Sequence, residues 1–201
     1  MKANVLYFIA AVCFLAAGCA QETKMIDTMN DEGKAVMALD YRDFDMAASK
    51  MVQSMLGSGA LKKADGGRYV VATGRIVNDT TQRIDTDQLM VKIETEILNS
   101  GQAVMTSAIG SGSDELLHET RDLRDSEEFD PNTVAKRQTL IAPELTISGK
   151  IFQRNIRYDR NTQQIEYYFQ LKLSDVKSGL RFWQDETLIG KRGSNRSVSW
   201  Q

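Results

Sequence analysis

The chain has 201 residues, with 27 acidic side chains against 25 Lys and Arg, a net charge of −2 at pH 7, two cysteines and one histidine. That balance supplies no general positive field for nucleic acid. One histidine and two cysteines are too few for a His/Cys zinc site.

The N-terminus carries Lys2 and then an apolar run, Val5 to Ala17. About thirteen residues are too few to span a bilayer as a helix, which takes about twenty, and fit the apolar region of a secretory signal. Ala16, Ala17 and Gly18 then precede Cys19. Small residues before a cysteine resemble a bacterial lipobox, with Leu15 four rather than three positions ahead; the alternative is an ordinary cleaved signal. The expectation is a signal peptide over 1–18, a diacylglycerol on the Cys19 thiol, and outer-membrane sorting because Ala20, not Asp, follows. Cys13 leaves with the signal, so the mature chain holds no internal disulfide. Residues 19–39 show no sustained period and read as a short tether, roughly 70 Å when fully extended and roughly 25 Å as a coil.

From residue 40 the pattern changes. Phe44, Ala48, Met51 and Met55 recur at helical spacing, with Asp43 or Asp45 as cap and Gly57 or Gly59 as stop. Arg68–Asn78 is rich in β-branched residues and reads as a strand. A second helix follows: Asp85 with Gln88 suggests a capping box, Leu89, Ile93 and Ile97 form an apolar row beside Met90 and Leu98, and Gly101 ends it. Ala103–Ile109 reads as a short strand. Asp114 and Glu115 open a further helix, and Asp130-Pro131 opens a third short one through Leu140. The last third is β: a strand from Glu144, the turn Asp159–Gln163, then a strand in which Ile165, Tyr167, Phe169, Leu171 and Leu173 alternate with Glu166, Tyr168, Gln170 and Lys172. That alternation marks a sheet covered on one side. A Lys-Ser-Gly turn leads to a final strand, and 194–201 is a polar tail. The expected class is α+β, an antiparallel sheet of about four strands with flanking helices.

Catalytic signatures are missing. His118 lies on the polar side of its helix, no G-x-S-x-G elbow is present, and Gly110–Asp114 lacks the Gly-Lys-Ser/Thr of a phosphate loop. The chain reads as a binding module, with no catalytic residue, metal or cofactor and no small-molecule substrate. Interfaces concentrate their energy in aromatic and Arg side chains. Tyr168 points away from the apolar face of its strand, and Arg154 and Arg157 lie on the strand before it. These three are the candidate partner-binding residues.

Three segments together resemble the LpoB family of penicillin-binding-protein activators: DYRDFDMAASKMVQSML, IDTDQLMVKIETEILNSGQ, and APELTISGKI with YYFQLKLSDVKSGLRFWQDETLIGK. The resemblance covers about residues 40–193. It implies a four-stranded antiparallel sheet with flanking helices, related to the N-terminal domain of TolB. It also implies an outer-membrane, periplasm-facing lipoprotein that docks on a small non-catalytic domain of a bifunctional class A penicillin-binding protein and stimulates peptidoglycan synthesis, without a cofactor. The competing class is a structural lipoprotein subunit of an outer-membrane assembly or secretion complex.

Overall fold

The computed structural model describes residues 27–28 and 35–194. The expected signal segment over 1–18, Cys19 and the polar tail from residue 195 lie outside the described residues. Among the described residues, those from Val36 onward form one compact unit.

Helix α1 runs Tyr41–Ser58. Its cap is Asp40 rather than Asp43 or Asp45. Asp40 accepts from the Asp43 backbone N–H, and the Asp43 carboxylate accepts from the Asp40 N–H at 2.8 Å. Two acidic residues three apart satisfy each other's orphan donors, which fixes the start one turn early. Gly59 ends the helix at φ 77°, a left-handed position that costs glycine nothing. The face of Phe44, Ala47, Ala48, Met51, Val52 and Met55 is buried.

Strand β1 is Tyr69–Asp79 and helix α2 is Thr86–Ser100. Asp85 caps α2 by accepting from the Asp87 N–H, so Gln88 is not the partner. Leu89, Met90, Ile93 and Ile97 are buried, whereas Leu98 is 49% exposed and lies outside the stripe. Strand β2 is only Ala103–Met105. Helix α3, Glu115–Asp122, is capped by Asp114 and buries none of its side chains. One 3-10 turn, Leu123–Asp125, follows it.

The helix expected over 130–140 does not form. Asp130 instead closes a single turn: its carboxylate accepts from the Asn132 N–H at 2.9 Å and its carbonyl from the Thr133 N–H at 3.0 Å. A segment this short is marginal as a helix without tertiary burial, and its apolar end, Leu140, is 48% exposed.

Strands β3 (Leu145–Arg157), β4 (Thr162–Asp175) and β5 (Arg181–Ser194) form an antiparallel meander. The whole sheet has five strands in the order β2-β1-β3-β4-β5. The α+β class is as expected, but the sheet is mixed: β1 runs parallel to both β2 and β3. Strand β2 returns beside β1 through α2, a crossover that makes the pair parallel.

Both long helices cover one face and pack on each other. Helix α1 lies over β5, with the Phe44 ring edge-on to Phe169 of β4 at 6.0 Å, and α2 lies over β1 and β2. The Leu89/Ile93/Ile97 row is therefore core, but it sits above the β1–β2 edge. Residues just before α1 also join this layer. The Met37 carbonyl accepts from the Tyr167 hydroxyl at 3.0 Å, and the Leu39 N–H donates to the Gln82 side chain at 3.1 Å.

Candidate functional site: the open face of the sheet

Successive strand residues point to opposite faces. In β4, Ile165, Tyr167, Phe169, Leu171 and Leu173 are buried under the helices. Glu166, Tyr168, Gln170 and Lys172 therefore belong to the second face, on which neither long helix packs. The meander register brings Phe152 of β3, Tyr168 of β4 and Leu188 of β5 into one row across three strands. The Phe152 and Tyr168 rings stack with centroids 4.6 Å apart and planes within 2°. Leu188 is 50% exposed at the open end of the row.

Polar groups border this row. The Tyr168 hydroxyl donates to Glu166 Oε2 at 2.7 Å, and Gln164 Nε2 donates to Glu166 Oε1 at 2.8 Å. Arg154 is the cross-strand partner of Glu166. The hydrogen bond to Glu166 raises the Tyr168 pKa, with some help from burial, while Arg154 opposes the shift. The same Tyr168 bond, then Gln164 and the Arg154 charge, hold Glu166 below the usual carboxylate range. The group thus presents one ionised carboxylate, one guanidinium and one neutral phenol at neutral pH. One row further on, Arg192 donates to Gln164 Oε1 at 2.6 Å and lies 3.8 Å from the Tyr158 ring centroid, a cation–π contact.

The structure brings Tyr168 and Arg154 together and sets Arg157 apart. Arg157 pairs with Gln163 and shares its parity with Gln153 and Asn155, so it belongs to the opposite face at the hairpin end. Phe152 and Leu188 were not among the candidates. Phe152 shares its parity with Arg154, a usable signal, but only the strand register reveals the stack. Among the described residues no cluster of three His, Cys, Asp or Glu side chains is placed to hold a metal, and His118 is exposed on α3. A shallow cavity of about 490 Å³ lies between α3 and the 137–140 segment. Its Arg137 is paired with Asp125 at 2.9 Å, and its Arg124 lies 3.6 Å from Asp122.

The fold and this face define an α+β domain with one sheet face buried under two helices and the other presenting an aromatic, charged surface. The sequence matches the model of the family described as peptidoglycan-synthase activator LpoB over residues 43–189. The chain belongs to the LpoB family. Among solved structures, it is similar to the LpoB C-terminal domain from Salmonella enterica, at 13% identity and a TM-score of 0.42, covering 73% of this chain and 98% of that one. The LpoB C-terminal domain from Escherichia coli gives 15% identity and a TM-score of 0.41 with the same coverage. Lipoprotein GNA1162 from Neisseria meningitidis gives 9% and 0.32, covering 65% and 87%. None of the curated proteins matches the sequence.

Proposed function

We propose that this chain is a non-enzymatic envelope lipoprotein that binds a bifunctional class A penicillin-binding protein and activates it. Cys19 carries the lipid and holds the domain on the periplasmic side of the outer membrane. The Phe152–Tyr168–Leu188 row, with Arg154 beside it, docks on a non-catalytic domain of the synthase. Family membership supports the activator role. The observation that carries the docking surface is the aromatic pair stacked on an uncovered sheet face, since rigid aromatics beside Arg make strong interface anchors.

The test is titration of wild-type and Tyr168→Ala/Arg154→Glu chains against the cognate synthase ectodomain, with glycan polymerisation as a second readout. The double variant is expected to fold, by circular dichroism, and to lose about tenfold or more in affinity, equivalent to about 1.4 kcal/mol, together with the stimulation. Wild-type affinity in the folded variant moves the docking surface elsewhere. No binding by the wild-type chain overturns the activator reading.

A further inference from the structure

The open face has a second half, beyond the aromatic row. Strand β1 shifts register against β3 between Thr73 and Ile76, so Gly74 and Arg75 together oppose Ser148. Such a bulge bends the strand and re-aims a side chain. Gly74 permits the close approach, since a Cβ there would lie 3.2 Å from the Ile147 carbonyl oxygen and 3.3 Å from Ser148 Cβ. On the far side β5 shifts against β4, pairing Trp183 with Leu173 but Arg181 with Ser174 and leaving Phe182 as the extra residue. A shallow cavity of about 400 Å³ lies between the two irregularities, lined by Arg75, Ser148, Lys150, Lys172, Arg181 and Gln184 among others.

Four adjacent strands thus contribute one cation each, at a strand spacing of about 4.8 Å. Lys172 is the direct cross-strand neighbour of Ser148, with Arg75 on the other side of that serine and Lys150 two residues along β3. The acidic groups on this face are engaged: Asp79 holds Lys150 at 2.5 Å, and Glu186 accepts from Gln170 at 2.6 Å. Arg181 donates to the Gln184 side-chain oxygen. Arg75, Lys172 and Arg181 make no ion pair among the described residues. Three cations without an ion pair line this one groove in a chain of net charge −2; they repel one another, and a bound anion of at least two charges relieves that repulsion. Arg forks and Lys point charges both suit phosphate oxygens.

We propose that this groove binds a phosphate-type oxyanion, either free or as the headgroup of a phosphate-bearing lipid. The site adjoins the aromatic docking row, since Lys150 Nζ lies 5.7 Å from the Phe152 ring centroid, but it does not depend on the activator reading. The test is calorimetric titration of the full chain in non-ionic detergent at fixed ionic strength. One arm uses inorganic pyrophosphate and the other dihexanoyl phosphatidic acid. Saturable binding is expected in at least one arm. Binding of pyrophosphate alone assigns a free oxyanion, and tighter binding of the lipid assigns a headgroup. Arg75→Gln/Lys172→Gln should weaken binding roughly tenfold or more with an unchanged circular-dichroism spectrum, and the wild-type amide resonances of Ser148 and Lys172 should shift on titration. Should the double variant fail to fold, Lys172→Gln alone provides the comparison, because that side chain is exposed. Absence of saturation in both arms, equal affinity in a folded variant, or shifts centred elsewhere would overturn the proposal.

Discussion

Ile93 and Tyr167 show how much a single buried side chain decides. Ile93 is fully buried on the core-facing side of α2. Truncating it to Ala should cost about 2–5 kcal/mol through lost burial and a residual cavity, measured by urea unfolding; a change below about half a kcal/mol would mean that the site is not packed as described. Tyr167 is buried too, with its hydroxyl donating to the Met37 carbonyl and accepting from the Gln82 amide. Burial pushes its pKa up to about 12, with the Gln82 hydrogen bond opposing the shift and the Asp43 charge adding to it. The folded pKa lies above the unfolded one, so this stabilisation is complete below pH 10. Above that the unfolded state ionises first, and stability falls by roughly 1.4 kcal/mol per pH unit until the folded group titrates near 12. Tyr167→Phe should flatten that alkaline loss in melts run between pH 9 and 12. An unchanged slope would assign the loss to other groups.

Close strand packing sets limits at the level of elements. A Cβ on Gly149 in β3 would overlap the Gln170 carbonyl oxygen and lie 2.7 Å from Leu171 Cδ2. The first neighbour is backbone and cannot swing away, so Gly149→Ala must spread the β3–β4 ladder. We expect about 1–3 kcal/mol of destabilisation, the usual cost of overpacking, read as a drop in the urea midpoint at unchanged slope; wild-type stability would show that the ladder yields freely. Helix α3 behaves differently. It has a good cap and an acidic first turn but buries none of its side chains, so its local signals were readable while its lack of packing was not. The 130–140 segment makes the same point from the other direction. Asp-Pro is a fair start signal, yet none of residues 131–140 is fully buried, and turns form there in place of a helix.

At the scale of the whole described body, one face of the sheet is buried under the two long helices, and on the other neither of them packs. Lys191 shows how the parts are locked together: it donates to Asp43 at 2.5 Å and to the Ala38 carbonyl at 2.7 Å, which ties β5 to α1 and to the chain entering it. The proposed location depends on an anchor outside this body. Cys19→Ala should move the protein from the detergent phase to the soluble periplasmic fraction, because it removes the thiol that carries the proposed lipid. Unchanged partitioning of that variant would sink the lipid-anchor assignment.

The sequence by itself determined the elements whose signals are local. Strict alternation in β4 identified its buried face, because side-chain direction in a strand has period two wherever the strand goes. The Leu89/Ile93/Ile97 row identified the core side of α2 for the same reason at period 3.6, and Gly101 marked its end. Only the tertiary structure decided which strands are neighbours. Pairing β1 parallel to β3 joins residues some 70 positions apart, and no local pattern encodes a partner that distant. The candidate site divides along the same line. Tyr168 was legible from alternation, whereas Arg154 and Arg157 were chosen only for lying on the neighbouring strand. Residues three apart in a strand cannot share a face, which already divides Arg157 from Arg154; the stack on Phe152 and the addition of Leu188 depend on register, since a shift of one residue exchanges the two faces of a strand.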